Sequence, residues 1–101
     1  MKRHIEHINY SIDSEELAQF AKALSHPTRI EILYYLESQS CCFTGDLVDI
    51  IPLAQSTISQ HLKELKRVGL IQGELKPPKI KYCINKEKWK KAKLLFQEFF
   101  D

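Results

Sequence analysis

The chain of 101 residues lacks the segments that direct a protein to a membrane. No stretch approaches the roughly 20 apolar residues that span a bilayer. The basic start at residues 1–6 is not followed by the apolar segment of a secretory signal. Glycine (3) and proline (4) are scarce, and no interdomain linker is evident. These absences predict a single cytoplasmic domain over residues 1–101 with no membrane partner.

Catalytic motifs are also missing from the sequence. It contains no Gly-rich phosphate loop, and no nucleophile has an evident base and orienting partner. We therefore expect neither an enzyme nor an obligatory cofactor. The three cysteines are Cys41, Cys42 and Cys83. An odd number in a reducing compartment predicts thiols rather than a disulfide framework.

Charge is unevenly distributed along the chain, although the net charge is only +2. Residues 1–54 hold 4 Lys/Arg and 8 Asp/Glu, whereas residues 55–93 hold 11 Lys/Arg and 3 Asp/Glu. A basic second half favours a surface that faces a polyanion, although a solvated lysine-rich face has the same composition.

Hydrophobic periodicity predicts a mainly α fold with a small β wing, in the order α-α-β-α-α-β-β-α. The predicted helices cover residues 14–24, 27–37, 45–51, 55–68 and 86–100, and the predicted strands cover residues 41–44, 70–76 and 80–85. Residues 1–13 form an N-terminal arm in this interpretation, and residues 86–101 a C-terminal helix. A short third helix, a tight turn, a fourth helix and a hairpin make a winged helix-turn-helix.

The fourth helix carries the expected DNA-reading surface. Ile58, Leu62 and Leu65 form an apolar stripe, and polar residues fall on the opposite side: Ser56, Gln60, Lys63 and Arg67. Short polar side chains suit base edges, and the basic residues towards the end of the helix, including Lys66, suit phosphate. On the wing, Lys76, Lys79 and Lys81 flank or follow Pro77-Pro78. The rival interpretation is a winged helix that binds only protein.

Two blocks, residues 23–33 (ALSHPTRIEIL) and 55–65 (QSTISQHLKEL), together with Val68-Gly69-Leu70-Ile71, resemble the ArsR-type metalloregulators. The resemblance implies a homodimeric repressor that leaves its double-stranded DNA operator when it binds an inducer. It places Ser56, Thr57, Ser59, Gln60 and His61 in the DNA-reading region. His61 lies beside the apolar stripe, so packing is an alternative role, and His26 is interpreted as structural. With the basic residues and Gln55, the complete predicted DNA-binding set is Gln55, Ser56, Thr57, Ser59, Gln60, His61, Lys63, Arg67, Lys76, Lys79 and Lys81.

The resemblance also implies that the first and last helices form the dimer interface. The apolar residues expected there are Leu17, Phe20, Trp89, Leu95, Phe96 and Phe99. The inducer is less defined. Arsenic sensors of this family often carry Cys-X-Cys at the start of the third helix, where this chain has Phe43 and Gly45. Other members bind zinc through the last helix, which here contains no histidine.

Strand alternation suggests a different thiol site in this chain. If Phe43 and Tyr82 face the core, Cys42 and Cys83 share the opposite face, and Cys41 can join them. Three thiolates, Cys41, Cys42 and Cys83, suit arsenite or another thiophilic ion. Four alternatives remain open at this point: buried structural thiols, a redox switch between Cys42 and Cys83, zinc bound with His4 or His7, and a repressor that responds to no inducer.

Overall fold

The first helix begins slightly before its predicted start. A computed structural model of the protein describes residues 10–101, in which α1 spans Ile12–Ala23. Ser11, not Ser14, is the N-cap, because the Ser11 hydroxyl accepts a hydrogen bond from the Ser14 N–H at 3.0 Å. Residues 12 and 13 of the predicted arm therefore belong to α1, and residues 1–9, including His4 and His7, lie outside the described residues.

The second helix, α2 (Pro27–Gln39), has His26 as its N-cap, and the His26 Nδ1 atom accepts from the Thr28 N–H at 3.1 Å. Pro27 occupies the first turn, where its missing N–H leaves no bond unmade. Strand β1 (Cys41–Phe43) leads directly into α3 (Thr44–Ile50). The Asp46 carboxylate fixes this transition by accepting from the Phe43 N–H at 2.8 Å.

Helix α4 (Gln55–Arg67) is followed by Gly69, whose φ of 86° lies in the left-handed region that glycine adopts without strain. The chain then forms β2 (Ile71–Lys76), β3 (Lys79–Ile84) and α5 (Lys86–Phe100). The three strands make one antiparallel sheet in the order β1-β3-β2. The element order of the sequence prediction is confirmed, and the chain has a winged helix-turn-helix fold.

The hydrophobic core lies where α1, α2, α4 and α5 meet the base of the sheet. Its fully buried large side chains include Phe20, Ile32, Leu36, Leu47, Ile58, Leu62, Leu65, Leu70 and Ile71. Tyr82 and Ile84 pack against this core, as the alternation predicted. Ile80 is 41% exposed instead, because it lies towards the tip of the wing, beyond the reach of the core. None of the helices in residues 10–101 combines the length and the apolar character needed to cross a membrane.

Candidate nucleic-acid interface

Helix α4 is held by one face and open on the other, as predicted. Ile58, Leu62 and Leu65 are fully buried. Most of the opposite face is exposed: Gln55, Ser56, Thr57, Gln60, Lys63 and Arg67, with Ser59 partly buried. Ala54 at the N-cap position makes no side-chain capping bond, so the first N–H groups of α4 remain available to an acceptor such as phosphate.

A groove of about 620 Å³ separates α4 from the wing and collects basic side chains from both elements. Lys63 and Lys66 line it from α4, Lys79 lines it from β3, and Gln55 and Ser59 also border it. We call this the α4–wing groove. Its three lysines and two polar side chains suit a phosphate backbone beside base edges.

Other predicted DNA-binding residues make contacts within the chain. Arg67 forms a salt bridge with Glu64 at 3.0 Å, and its guanidinium donates to the Gln19 side chain of α1 at 3.1 Å. It therefore turns towards α1, whereas Lys66 lines the α4–wing groove. On the wing, Lys76 pairs with Glu74 at 3.0 Å. Lys81 is partly buried on β3 opposite Phe43, and the Lys79 ammonium lies 5.4 Å from the centre of the Phe43 ring.

His61 does not lie on the polar face with the other predicted DNA-binding residues. Its side chain is 8% exposed, and its Nδ1 atom accepts a hydrogen bond from Arg29 Nε at 3.2 Å. The His26 and His61 ring centres are 4.4 Å apart. The packing alternative therefore describes His61 better than a base contact. Arg29 was not predicted as a functional residue, and its only signal in the sequence is its position in the His-Pro-Thr-Arg turn.

The cysteine pairing differs from the prediction. Cys41, not Cys42, lies opposite Cys83 on the paired strands, with 4.1 Å between their Cα atoms, and the two are joined as a disulfide. The prediction assumed that Phe43 faces the core. Phe43 instead faces Lys79, and Cys42 takes the inward position of the short strand.

The proposed three-thiolate site is therefore not assembled. Cys42 is buried, and burial followed by the charge of Asp46 raises the pKa of its thiol to about 11. Such a thiol is protonated near neutral pH, and a protonated thiol is a poor metal ligand. Across residues 10–101, no three His, Cys, Asp or Glu side chains come together as a metal-ligand cluster. Cys41 and Cys83 are only partly buried, and both border a groove of about 670 Å³.

Comparison with known proteins identifies the family. The model for "Bacterial regulatory protein, arsR family" matches residues 26–72. The HTH-type transcriptional regulator YgaV of Escherichia coli K12 is 36% identical over 74 residues, covering 73% of this chain and 75% of YgaV. The chain belongs to the arsR family. This result confirms the resemblance drawn from residues 23–33 and 55–65.

Solved structures of other transcriptional regulators share the fold. An ArsR-like transcriptional regulator from Rhodococcus sp. RHA1 superposes with a TM-score of 0.73 at 27% identity, covering 85% of this chain and 80% of that one. The transcriptional repressor PagR of Bacillus anthracis gives a TM-score of 0.67 at 28% identity, covering 82% and 97%. The chain is accordingly a DNA-binding transcriptional regulator and not an enzyme. The exposed face of α4 and the α4–wing groove are the candidate DNA-binding surface.

Helices α1 and α5, the expected arsR-family dimer surface, pack against each other within one chain. Phe20 and Leu95 are buried in that packing and offer no surface to a partner, which corrects their assignment to the interface. Leu17, Trp89 and Phe96 are partly buried, whereas Phe99 is 66% exposed. Further apolar side chains are exposed on the same two helices: Ile12, Leu94 and Phe100.

Proposed function

We propose that this chain is a homodimeric repressor that binds a two-fold operator, and that the thiol state of Cys41 and Cys83 controls its DNA binding. One observation supports the control: the Cys41–Cys83 bond joins β1, which leads directly into α3, to β3 of the wing. The helix-turn-helix and the wing are the two elements that carry the DNA-facing lysines. A bond between them makes their relative position depend on thiol chemistry.

Operator binding uses the exposed face of α4 and the α4–wing groove. Gln55, Ser56 and Gln60 suit base edges in the major groove, since amide and hydroxyl groups both donate and accept hydrogen bonds. Lys63, Lys66 and Lys79 suit the phosphate backbone. Removing one phosphate-binding lysine reduces the slope of log K against log salt by about 0.9. Lys90, exposed on α5, is the matched control and is expected to leave the slope unchanged.

Dimerisation covers the exposed apolar residues of α1 and α5. Ile12, Leu94, Phe99 and Phe100 are large apolar side chains exposed on these two helices, and an interface between copies would remove them from water. A two-fold dimer presents two α4 helices, so the operator is expected to contain two half-sites about 34–36 Å apart or at a multiple of that distance.

Oxidation is the proposed inducing event. In a balanced sequence, peroxide converts one thiol of the Cys41–Cys83 pair to a sulfenic acid with release of water. The second thiol then displaces a further water and forms the disulfide. The resulting bond fixes β1 against β3 and prevents α3 and the wing from adjusting to the DNA. We expect oxidation to weaken operator binding by about 5–150-fold, the usual range of allosteric coupling.

Arsenite is the second candidate inducer, because the reduced Cys41 and Cys83 thiols lie side by side in the strand register. Two thiols displace two hydroxides of arsenous acid as water and give a dithiolate complex that links the same strands. This site uses two cysteines rather than three. Soft thiolate ligands favour such an ion over harder metals.

Fluorescence anisotropy on labelled DNA from upstream of the protein's own gene tests these proposals. The reduced protein, the peroxide-treated protein and the reduced protein with arsenite are compared. Cys41→Ser and Cys83→Ser are expected to bind DNA without responding to either reagent, and Cys42→Ala is the matched control that still responds. Equal affinity of all three wild-type samples would refute thiol control. Binding no tighter than to random DNA would refute this operator.

A further inference from the structure

The side of α4 that faces away from the α4–wing groove contains a cluster of polar side chains, of which His61 is buried, Arg29 is partly buried and His26 is exposed. Arg29 Nε donates to the Nδ1 atom of buried His61 at 3.2 Å, and the His26 ring centre is 4.4 Å from that of His61. The cluster lies where α1, α2 and α4 meet, so we call these three residues the helix junction. None of the DNA-facing side chains and none of the cysteines belongs to it.

Arg29 connects all three helices. It belongs to α2, it bonds His61 on α4, and its guanidinium also donates to the Ala23 and Lys22 carbonyls of α1 at 3.3 and 3.5 Å. Both carbonyls are in the last turn of α1, and the Lys22 carbonyl also accepts from the Ser25 N–H and hydroxyl. One guanidinium and the imidazole that accepts from it therefore link α4 to α1 and α2, in addition to the buried apolar face of α4.

That arrangement requires a neutral His61. A ring nitrogen that accepts a hydrogen bond carries no proton, so the His61 proton is on Nε2. A second proton would convert the acceptor into a donor that faces the donor of Arg29. It would also place a positive charge in a buried site next to the guanidinium, and both effects oppose the observed contact.

The charged groups around His61 do not offset such a proton. His26, which precedes α2, and Arg29 of α2 both face His61, and Lys22 lies at the end of α1. The nearby carboxylate is Glu64, one turn along α4, and its two oxygens already accept from Arg67 at 3.0 and 3.1 Å. Burial, followed by the charges of His26 and Arg29, lowers the pKa of His61.

We propose that Arg29 and His61 are positioning residues for operator binding, and that protonation of His61 in mildly acidic conditions breaks their contact and weakens DNA binding. The pH range follows from the direction of the pKa shift. The neutral contact is intact above the ordinary histidine value of about 6.5, and it is lost as the pH falls through the lower pKa that His61 has in the folded chain. This control goes beyond the thiol control proposed above, since it requires no cysteine and operates in fully reduced protein.

The direction in which DNA affinity changes with pH distinguishes a positioning role from a simple charge effect. A positive charge added to a DNA-binding protein by itself strengthens DNA binding. A positioning role predicts the reverse, because only the fraction of protein with a neutral junction binds well. Affinity is expected to fall about tenfold at a pH one unit below the pKa of His61.

The test is operator anisotropy from pH 8 to pH 5.5 at constant ionic strength with reductant present, each protein being compared with its own affinity at pH 8. His61→Asn is the decisive variant, because the asparagine Oδ1 occupies the place of Nδ1, accepts from Arg29 and does not titrate. We expect the wild type to lose affinity with acidification and His61→Asn to lose at least threefold less. The double variant His4→Asn/His7→Asn is the matched control and is expected to retain the wild-type loss.

Several outcomes would overturn the proposal. They are equal pH dependence of wild type and His61→Asn, tighter binding of the wild type in acid, and loss of the pH dependence in His26→Asn, whose asparagine can still cap α2. NMR titration of the wild-type histidines needs no variant, so misfolding of a variant cannot affect the result. A His61 pKa at or above 6.5, or one that does not match the loss of binding, also overturns it.

Discussion

The helix-turn-helix is attached to the rest of the chain in two different ways, one at each side. At the helix junction, a hydrogen bond between Arg29 and buried His61 links α4 to α2 in a partly buried site. At the sheet, the strand that leads into α3 is held to the wing by the Cys41–Cys83 bond in a partly exposed site. The first attachment contains an imidazole that can take up a proton, and the second consists of two cysteines whose bond can be reduced. The comparison shows that two chemically different contacts, both outside the exposed face of α4, join the helix-turn-helix to the rest of the fold.

Removing the core beneath α4 should have a larger effect than breaking either attachment. Leu62 is fully buried on the inner face of α4. Leu62→Ala removes buried methyl groups and leaves a cavity, so we expect the free energy of unfolding to fall by about 2–5 kcal/mol. Urea denaturation followed by circular dichroism measures it. The neighbouring exposed residue gives the control, Lys63→Ala, whose stability should match that of the wild type. An equally small effect of Leu62→Ala would show that α4 is held mainly by the two attachments.

The Cys41–Cys83 bond should make the second-largest contribution to the free energy of unfolding. The Cys41–Cys83 bond closes a loop with a sequence separation of 42 residues. Closing such a loop restricts the unfolded chain, so reduction is expected to lower the free energy of unfolding by about 2–4 kcal/mol. Denaturant titrations with and without reductant measure the difference. Cys42→Ala should keep this sensitivity to reductant and Cys83→Ser should lose it. The same stability with and without reductant in the wild type would contradict the assignment of this attachment.

The hydrogen bond between Arg29 and His61 should contribute less to the free energy of unfolding. Arg29→Met keeps much of the aliphatic packing but leaves the buried His61 Nδ1 atom and the Ala23 carbonyl without this donor. An unpaired buried acceptor costs about 1–3 kcal/mol, and we expect that loss at pH 8. Chemical denaturation of the two proteins at that pH measures it.

Arg67→Met provides the control for the loss of an arginine. Arg67 is exposed and contacts Glu64 and Gln19. Contacts of this exposed kind contribute little to stability, so Arg67→Met is expected to unfold at nearly the wild-type denaturant concentration. If the two arginine variants are destabilised equally, the helix junction has no special role in holding α4.

How well each region could be predicted from the sequence depends on how many residues carry the pattern. The apolar stripe of α5 predicted residues 86–100, which match the observed helix, and Ile58, Leu62 and Leu65 predicted the buried face of α4. A stripe repeats over several turns, so one misleading residue does not change the result. It also does not say which chain covers it, which is why Phe20 and Leu95 were assigned to a dimer interface.

The two attachments were harder to predict because each depends on a single contact. Strand β1 has only three residues, so the face of its cysteines depended on the orientation of Phe43 alone. An aromatic residue in a short strand favours a core position, yet Phe43 packs beneath the ammonium of Lys79. The Arg29–His61 bond joins side chains 32 positions apart, and no periodic pattern encodes such a pair. Both required the tertiary structure.

The smallest expected effect concerns an ion pair that belongs to neither attachment. The Glu16 carboxylate of α1 contacts Lys88 and Lys91 of α5 at 2.9 and 3.0 Å, and hydrogen bonds from these lysines lower its pKa. A carboxylate whose pKa is lowered by folding adds stability above its unfolded value, and this stability disappears as the pH falls through its folded value. Because the two lysine side chains are close to half exposed, Glu16→Gln should cost less than about 1 kcal/mol at pH 7 and a smaller amount near pH 3. Thermal unfolding of both proteins at the two pH values measures the difference. If the two proteins differ in stability by as much at pH 3 as at pH 7, the effect comes from packing between α1 and α5 rather than from charge.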